Sequence, residues 1–232
     1  MYKNKKILAV IPARGGSKGI PQKNIYSIYG KPLISFTINQ SLQSKYLDRV
    51  IVSTDCEKIA QISESLGVAV PFLRPRDLAT DSAKTISTMV HVIELLKSRD
   101  EEYDYVVLLQ PTQPLRTSDH IDEAIEQIIH NDQSTLVSVS KVKDHPLLIR
   151  SIGNEGSLKK LIKENSTVRR QDFEDYYKVN GAIYINKIDK SFNEELSLND
   201  NQWPYIMDSK FDLDIDCMED IEIFKRVLNS DA

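Results

Sequence analysis

Cysteine is scarce: Cys56 and Cys217 are the only two in 232 residues, and they stand far apart. They form no CxxC pair, so neither a disulfide framework nor a zinc site is suggested, and reduced, cytoplasmic thiols are expected. Long apolar runs are also lacking. The first, residues 7–11, is too short to cross a membrane or to serve as the core of a secretory leader. It is expected as a buried strand, and no membrane partner is expected. No long Lys/Arg run occurs and the formal net charge is −4. A protein that lives on nucleic acid carries a basic face, so that partner is not expected either. Any anionic ligand is then small and held by a few placed groups. Neither GxxxxGK[ST] nor GxGxxG is present, which removes the main support for kinase-like and dehydrogenase readings. No internal repeat or low-complexity linker divides the chain, whose length suits one α/β domain.

What is present is an alternation of strand-like and helix-like segments. Strands are expected over residues 7–11, 49–53, 68–72, 105–109 and 135–139, the first an unbroken apolar run of the kind buried on both faces. A helix is expected to open at Lys31 and Pro32, where the missing proline N–H costs nothing. Thr54 to Glu57 fits a capping box, and that helix should end near Gly67. Ile86, Met89, Val90, Ile93 and Leu96 keep helical spacing. So do Ile121, Ala124, Ile125, Ile128 and Ile129, with Asp119, Asp122 and Glu123 near the positive end of their helix. This pattern predicts βαβ units in a Rossmann-like, doubly wound, mostly parallel sheet. After residue 140 the rhythm changes. Residues 145–177 are polar and predict a small β-rich insertion, within bounds of about 141–180. A strand returns at 181–186, and a last helix starts near Met218.

The most informative stretch follows the first strand: IPARGGSKGIPQKN, residues 11–24. It leaves the carboxyl end of a strand, where open α/β sheets bind ligands. Its glycines allow close backbone approach and present N–H donors. Arg14, Lys18 and Lys23 add positive charge within ten residues. A triphosphate needs both. The ordinary alternative is a flexible turn with solvated lysines. Further on, FDLDID (211–216) alternates acid with apolar residues. In an extended segment Asp214 and Asp216 share a side, where two carboxylates repel unless a cation bridges them; Mg²⁺ is the expected occupant. The alternative is an acidic, soluble strand edge, or acids grouped before the last helix.

Along nearly its whole length the chain resembles the acylneuraminate cytidylyltransferases, the CMP-sialic acid synthetases. The resemblance rests on the loop above and on four other segments. LRPRDLATDSAKT (73–85) resembles the segment that cradles cytosine and ribose, although Thr80, Asp81 or Ser82 could equally cap the helix beginning near Lys84. LLQPTQPLR (108–116) is similar to LLQPTSPLR, with Gln113 in place of Ser. NGAIYI (180–185) and the DxD of 214–216 match as well. The resemblance implies nucleotide contacts at Ala13, Arg14, Gly15, Lys23, Asn24, Arg74, Ala83 and Thr85. It implies catalytic roles for Arg14, Lys23, Asp214 and Asp216, with the two aspartates binding the metal. It implies sugar contacts at Gln110, Arg170 and Gln171. A Gln amide donates and accepts, which suits a polyhydroxyl ligand, and an Arg fork suits a carboxylate. Asp212 is a third acid by position alone.

The resemblance therefore implies a single cytidylyltransferase domain, 1–232, whose insertion makes it a homodimer by reaching over the partner. CTP and a nonulosonic sugar acid are its expected substrates. Leu148 and Lys178 stand where some sialic-acid-specific members carry Lys and Arg, which weakens N-acetylneuraminate itself and leaves legionaminic or another nine-carbon acid open. Pseudaminic and 3-deoxy-octulosonic acids are further alternatives, the last ranked below the others because its family has a different loop sequence. A nucleotide-binding regulatory module without catalysis is the reading from another class.

Overall fold

The apolar run near the N-terminus becomes the strand on which the rest of the chain is laid. A computed structural model describes residues 1–163, 167, 169 and 173–230. Strand β1 spans Ile7–Pro12, and a short hairpin follows, β2 (Ser27–Ile28) with β3 (Lys31–Pro32). Next come α1 (Leu33–Gln43), β4 (Arg49–Ser53), α2 (Glu57–Ser65) and α3 (Thr85–Lys97). They are followed by β5 (Tyr105–Leu108), α4 (Ser118–His130) and β6 (Thr135–Lys141). A second hairpin, β7 (Arg150–Ile152) with β8 (Leu158–Lys160), precedes β9 (Tyr177–Lys187), β10 (Trp203–Met207) and α5 (Met218–Ser230).

Six strands form one sheet in the order β10-β6-β9-β5-β1-β4. Every neighbouring pair is parallel except the two made by β9, which lies antiparallel between β5 and β6. Strand β1 divides its side chains between two cores with the period of a pleat. Ile7, Ala9 and Ile11 face α1, α2 and α4, packing with Ile34, Ile59 and Ile125. Leu8 and Val10 face α3 and meet Met89 and Val92. Helices thus cover both faces of a mostly parallel sheet, the Rossmann-like, doubly wound arrangement. A third cluster joins α5 to the loop after β1 through Ile20, Leu33, Ile215 and Phe224. Among the described residues no helix is long and apolar enough to cross a membrane.

Local expectations fail where a side chain finds a better partner or the backbone lacks a donor. Residues 68–72 form no strand: Ala69 alone bridges Ile51, and Pro71 cannot donate to a ladder. Lys31 and Pro32 also pair with β2, because Tyr29 and Gly30, both at positive φ, make the tight turn of a hairpin, and Pro32 is at the same time the N-cap from which α1 opens. The capping box at Thr54 does not form. Cys56 is the N-cap of α2 and makes no side-chain capping bond; the Thr54 hydroxyl accepts the Cys56 N–H, and the Asp55 carboxylate is taken by Gly15. None of Thr80, Asp81 and Ser82 caps α3, whose N-cap is Lys84. Strand β9 is longer than expected and carries a bulge opposite Val137–Val139. Asn180 sustains it: its Oδ1 accepts from the Ser138 hydroxyl at 2.6 Å and its Nδ2 donates to Ser140 at 2.8 Å, while Gly181 supplies φ +77°.

Candidate active site

The loops after β1 and β5 and the segment between α2 and α3 line a cleft of about 470 Å³ at the carboxyl ends of these strands. The loop after β1 is held by its own sequence. Ala13 is fully buried and its N–H reaches the Ser53 carbonyl at 2.9 Å. Gly15 N–H donates to Asp55 Oδ1 at 2.8 Å, and a Cβ at Gly15 would come within 2.9 Å of the Cys56 Cβ. Asn24, buried, donates from Nδ2 to the Arg14 carbonyl at 2.9 Å. The loop's far end docks on the acidic segment before α5. There a Cβ on Gly19 would lie 2.4 Å from the Asp216 carbonyl oxygen. Lys23 Nζ donates to the Ile215 carbonyl at 2.8 Å and to Asp216 Oδ1 at 2.9 Å.

Arg74 forms the wall nearest β4. It is buried and donates from Nε to the Ser53 hydroxyl at 3.1 Å, with further bonds to the Ser53 and Leu78 carbonyls. Burial, then the charge of Arg14, draws its pKa down to about 10 against the pull of Asp55; it remains a cation at neutral pH. Ala83 and Thr85 line the same cleft at the start of α3. Ahead of them Asp81 bridges two cations of the first loop, at 2.7 Å from Arg14 Nη1 and 3.1 Å from Lys18 Nζ.

Gln110 stands between this cleft and a neighbouring one of about 550 Å³ lined in part by Lys84, Tyr184 and Asn199. Its amide oxygen lies 3.0 Å from where a Cβ on Gly181 would sit, so the side chain uses the room glycine leaves. Behind it Arg116 is 1% exposed and donates to the Ala182 carbonyl at 2.7 Å, to Thr37 Oγ1 at 2.8 Å and to the Gln110 carbonyl at 3.4 Å. Burial draws its pKa down to about 9. Arg116 therefore ties the loop after β5 to α1 and β9.

The acidic segment closes the cleft. Ile215 N–H donates to the Thr112 carbonyl at 2.8 Å, and the Ile215 side chain is fully buried. That anchor leaves Asp214 and Asp216 on the cleft. Crowding by the cleft walls raises the Asp214 pKa, and the Asp216 charge adds to this against a hydrogen bond from Thr112. Asp212 faces elsewhere and pairs with Lys178 at 3.0 Å. Among the described residues no group of three or more His, Cys, Asp or Glu could hold a metal ion. Of the residues singled out in the sequence, Ala13, Arg14, Gly15, Lys23, Asn24, Arg74, Ala83, Thr85, Gln110, Asp214 and Asp216 lie in or directly behind these walls. Arg170 and Gln171 lie outside the described residues. Asp55, Asp81, Thr112 and Arg116 carry structural roles that sequence reasoning did not assign. Nothing local marks them, since their partners come from other segments.

A doubly wound sheet with its functional loops on the carboxyl edge defines the chain as a Rossmann-like α/β protein of the nucleotide-handling kind. More narrowly, the chain belongs to the cytidylyltransferase family, which it matches over residues 8–223. It is 37% identical to a CMP-N,N'-diacetyllegionaminic acid synthase of Legionella pneumophila, over 98% of this chain and 99% of that one. It is 33% identical to a pseudaminic acid cytidylyltransferase of Campylobacter jejuni, over 95% of each. An N-acylneuraminate cytidylyltransferase of Streptococcus agalactiae is 36% identical over 93% of this chain, which spans only 51% of that protein. Among solved structures, a CMP:2-keto-3-deoxy-manno-octonic acid synthetase complexed with CTP superposes with a TM-score of 0.74. The match covers 98% of this chain and 100% of that one, and at 17% identity it speaks for the fold alone.

Proposed function

We propose that the chain transfers CMP from CTP to a nonulosonic acid and releases pyrophosphate. The observation that carries this reading is a single cleft in which Arg14, Lys18, Lys23 and Arg74 meet Asp214 and Asp216 beside Gln110. The names of the relatives point to sugar acids of the sialic, legionaminic and pseudaminic kinds. In the reaction the anomeric hydroxyl oxygen bonds to the α-phosphorus, the bond from that phosphorus to the bridging oxygen breaks, and the hydroxyl proton is lost. Little covalent chemistry falls to the protein, so positioning and charge neutralisation dominate. Arg14 and Lys23 stabilise charge on the phosphates and the departing pyrophosphate. Arg74, Ala83 and Thr85 form the nucleoside wall, with Ala13, Gly15 and Asn24 shaping the loop opposite. Gln110, facing both clefts, orients the sugar, joined by Arg170 and Gln171.

Asp214 and Asp216 would hold Mg²⁺. The donor set suits it, since Mg²⁺ commonly takes one or two carboxylates and completes its shell with water and substrate phosphate. Burial first, and then the neighbouring Asp216 charge, raise the Asp214 pKa, and a bound cation relieves both. When bound, the ion neutralises phosphate charge and orients the attacking hydroxyl. We further propose a cytoplasmic homodimer, supported by apolar side chains left exposed on and beside the β7–β8 hairpin.

Pyrophosphate release with CTP, UTP, ATP and GTP across a panel of nonulosonic acids tests this reading. CTP with one sugar acid should stand out, EDTA should abolish turnover and Mg²⁺ should restore it. Preference for UTP or a purine, or full activity in EDTA, would overturn it.

A further inference from the structure

We propose that Asp81 is an internal competitor for phosphate: its carboxylate occupies the Arg14 and Lys18 cations in the ligand-free protein, and nucleotide binding displaces it. The inference rests on the nucleotide reading of the cleft. One carboxylate oxygen meets Arg14 Nη1 at 2.7 Å and the other meets Lys18 Nζ at 3.1 Å. This is the way two oxygens of one phosphate would be shared between two cations. The pairing holds the Asp81 carboxyl below the usual carboxylate range, with Lys18 the larger contributor.

Asp81 has no competing duty in the described structure. It does not cap α3, whose N-cap Lys84 makes no side-chain capping bond. The segment around it is lightly held, by Thr80 Oγ1 to the Asp77 carbonyl and Ala83 N–H to the Thr80 carbonyl, both at 3.3 Å. Both ends of the contact are open to water, with Asp81 half exposed and Lys18 78% exposed. An exposed ion pair is weak and replaceable, whereas a polyphosphate brings more charge and more acceptor oxygens to the same cations. Ala83 and Thr85 follow Asp81 directly and line the cleft, so release of the carboxylate frees the strip of chain that forms the nucleoside wall. Displacement at the phosphates is thereby linked to rearrangement at the base and ribose.

Calorimetric titration of wild type, Asp81→Asn, Asp81→Ser and Asp81→Glu with CTP and with inorganic pyrophosphate tests the inference. The two neutral variants should bind both ligands about 2- to 5-fold more tightly than wild type, the range expected for a lost exposed pair. Asp81→Glu, which keeps the charge, should gain less than either. Thermal unfolding of each variant reports that the fold is retained. Unchanged or weaker pyrophosphate binding in both folded neutral variants overturns the proposal, as does absence of pyrophosphate binding in all four proteins. If CTP does not bind wild type but pyrophosphate does, and more tightly in the neutral variants, the nucleotide reading fails while the competitor survives.

Discussion

Two glycines of the loop after β1 show how a missing side chain positions charged ones. Gly19 lies so close to the acidic segment that a Cβ would sit 2.4 Å from the Asp216 carbonyl oxygen. That oxygen belongs to backbone anchored through Ile215 and cannot swing aside. A Cβ on Gly16 would meet nothing within 4 Å. Gly19→Ala should therefore force loop and acidic segment apart, costing about 1–3 kcal/mol as overpacking and pulling Lys23 from Asp216. We expect a melting temperature lowered by several degrees and at least ~10-fold lower kcat/KM for CTP, about 1.4 kcal/mol of transition-state stabilisation. Gly16→Ala should leave the melting temperature within error. Equal thermal shifts in the two variants would contradict the argument.

At the scale of elements, α4 shows a helix start doing a second job. Thr117 Oγ1 accepts the His120 N–H at 3.3 Å and His120 Nδ1 accepts the Thr117 N–H at 3.1 Å, a reciprocal cap in which His takes the usual Glu or Gln place. Asp119 lies in the first turn as expected, while the other two acids near this helix end hold groups of other segments. Asp122 holds the Ser44 hydroxyl and the Lys45 N–H, and Glu123 accepts from the Tyr205 hydroxyl of β10. The His120 ring also stands edge-on to Phe211, 4.4 Å away, where the acidic segment begins. Burial lowers the His120 pKa, with Arg116 and Lys210 assisting against Glu123 and Asp119. A histidine with a depressed folded pKa binds fewer protons in the native state than in the unfolded chain. Its contribution is thus complete above the unfolded value of about 6.5 and is lost as pH falls from there through the folded value. Between pH 7 and 5, wild type should lose about 0.5–2 kcal/mol more than His120→Gln, the worth of an N-cap that glutamine keeps at every pH. Denaturant unfolding at several pH values measures this, and parallel pH profiles for the two proteins would refute it.

For the whole molecule the open question is what covers the hairpin. Ile152, Leu158 and Leu161 are 77%, 71% and 62% exposed, and strand pairs this small are not stable alone in water. A two-fold partner would cover them and bring the two clefts into one assembly. Sedimentation should give a mass near twice 26.5 kDa. Mixing an Arg170→Ala subunit with an Asp214→Ala subunit should regain part of the activity each lacks, because one hybrid site keeps both residues. A fully active monomer at nanomolar concentration would end this idea. A dimer without rescue would keep the association but assign Arg170 to its own subunit's site or to none.

What the sequence determined by itself is what depends on near neighbours. The unbroken apolar run made β1 a strand buried on both faces, Ile121 to Ile129 kept the spacing of α4, and the glycines and cations of residues 14–23 marked a loop at the carboxyl end of β1. What the tertiary structure decided is which distant groups share a site and what state they are in. Lys23 meets Asp216 across 193 steps of chain, and Lys178 rather than the cleft claims Asp212. Asp81, which could have capped a helix, instead faces Arg14 and Lys18. The placement of β9 against the direction of its neighbours was equally out of reach, because a strand's periodicity reports its burial and not its partner. Pairing of charges follows the order in which strands are laid in the sheet, and that order is set by the packing of the whole core, to which no single segment holds the key.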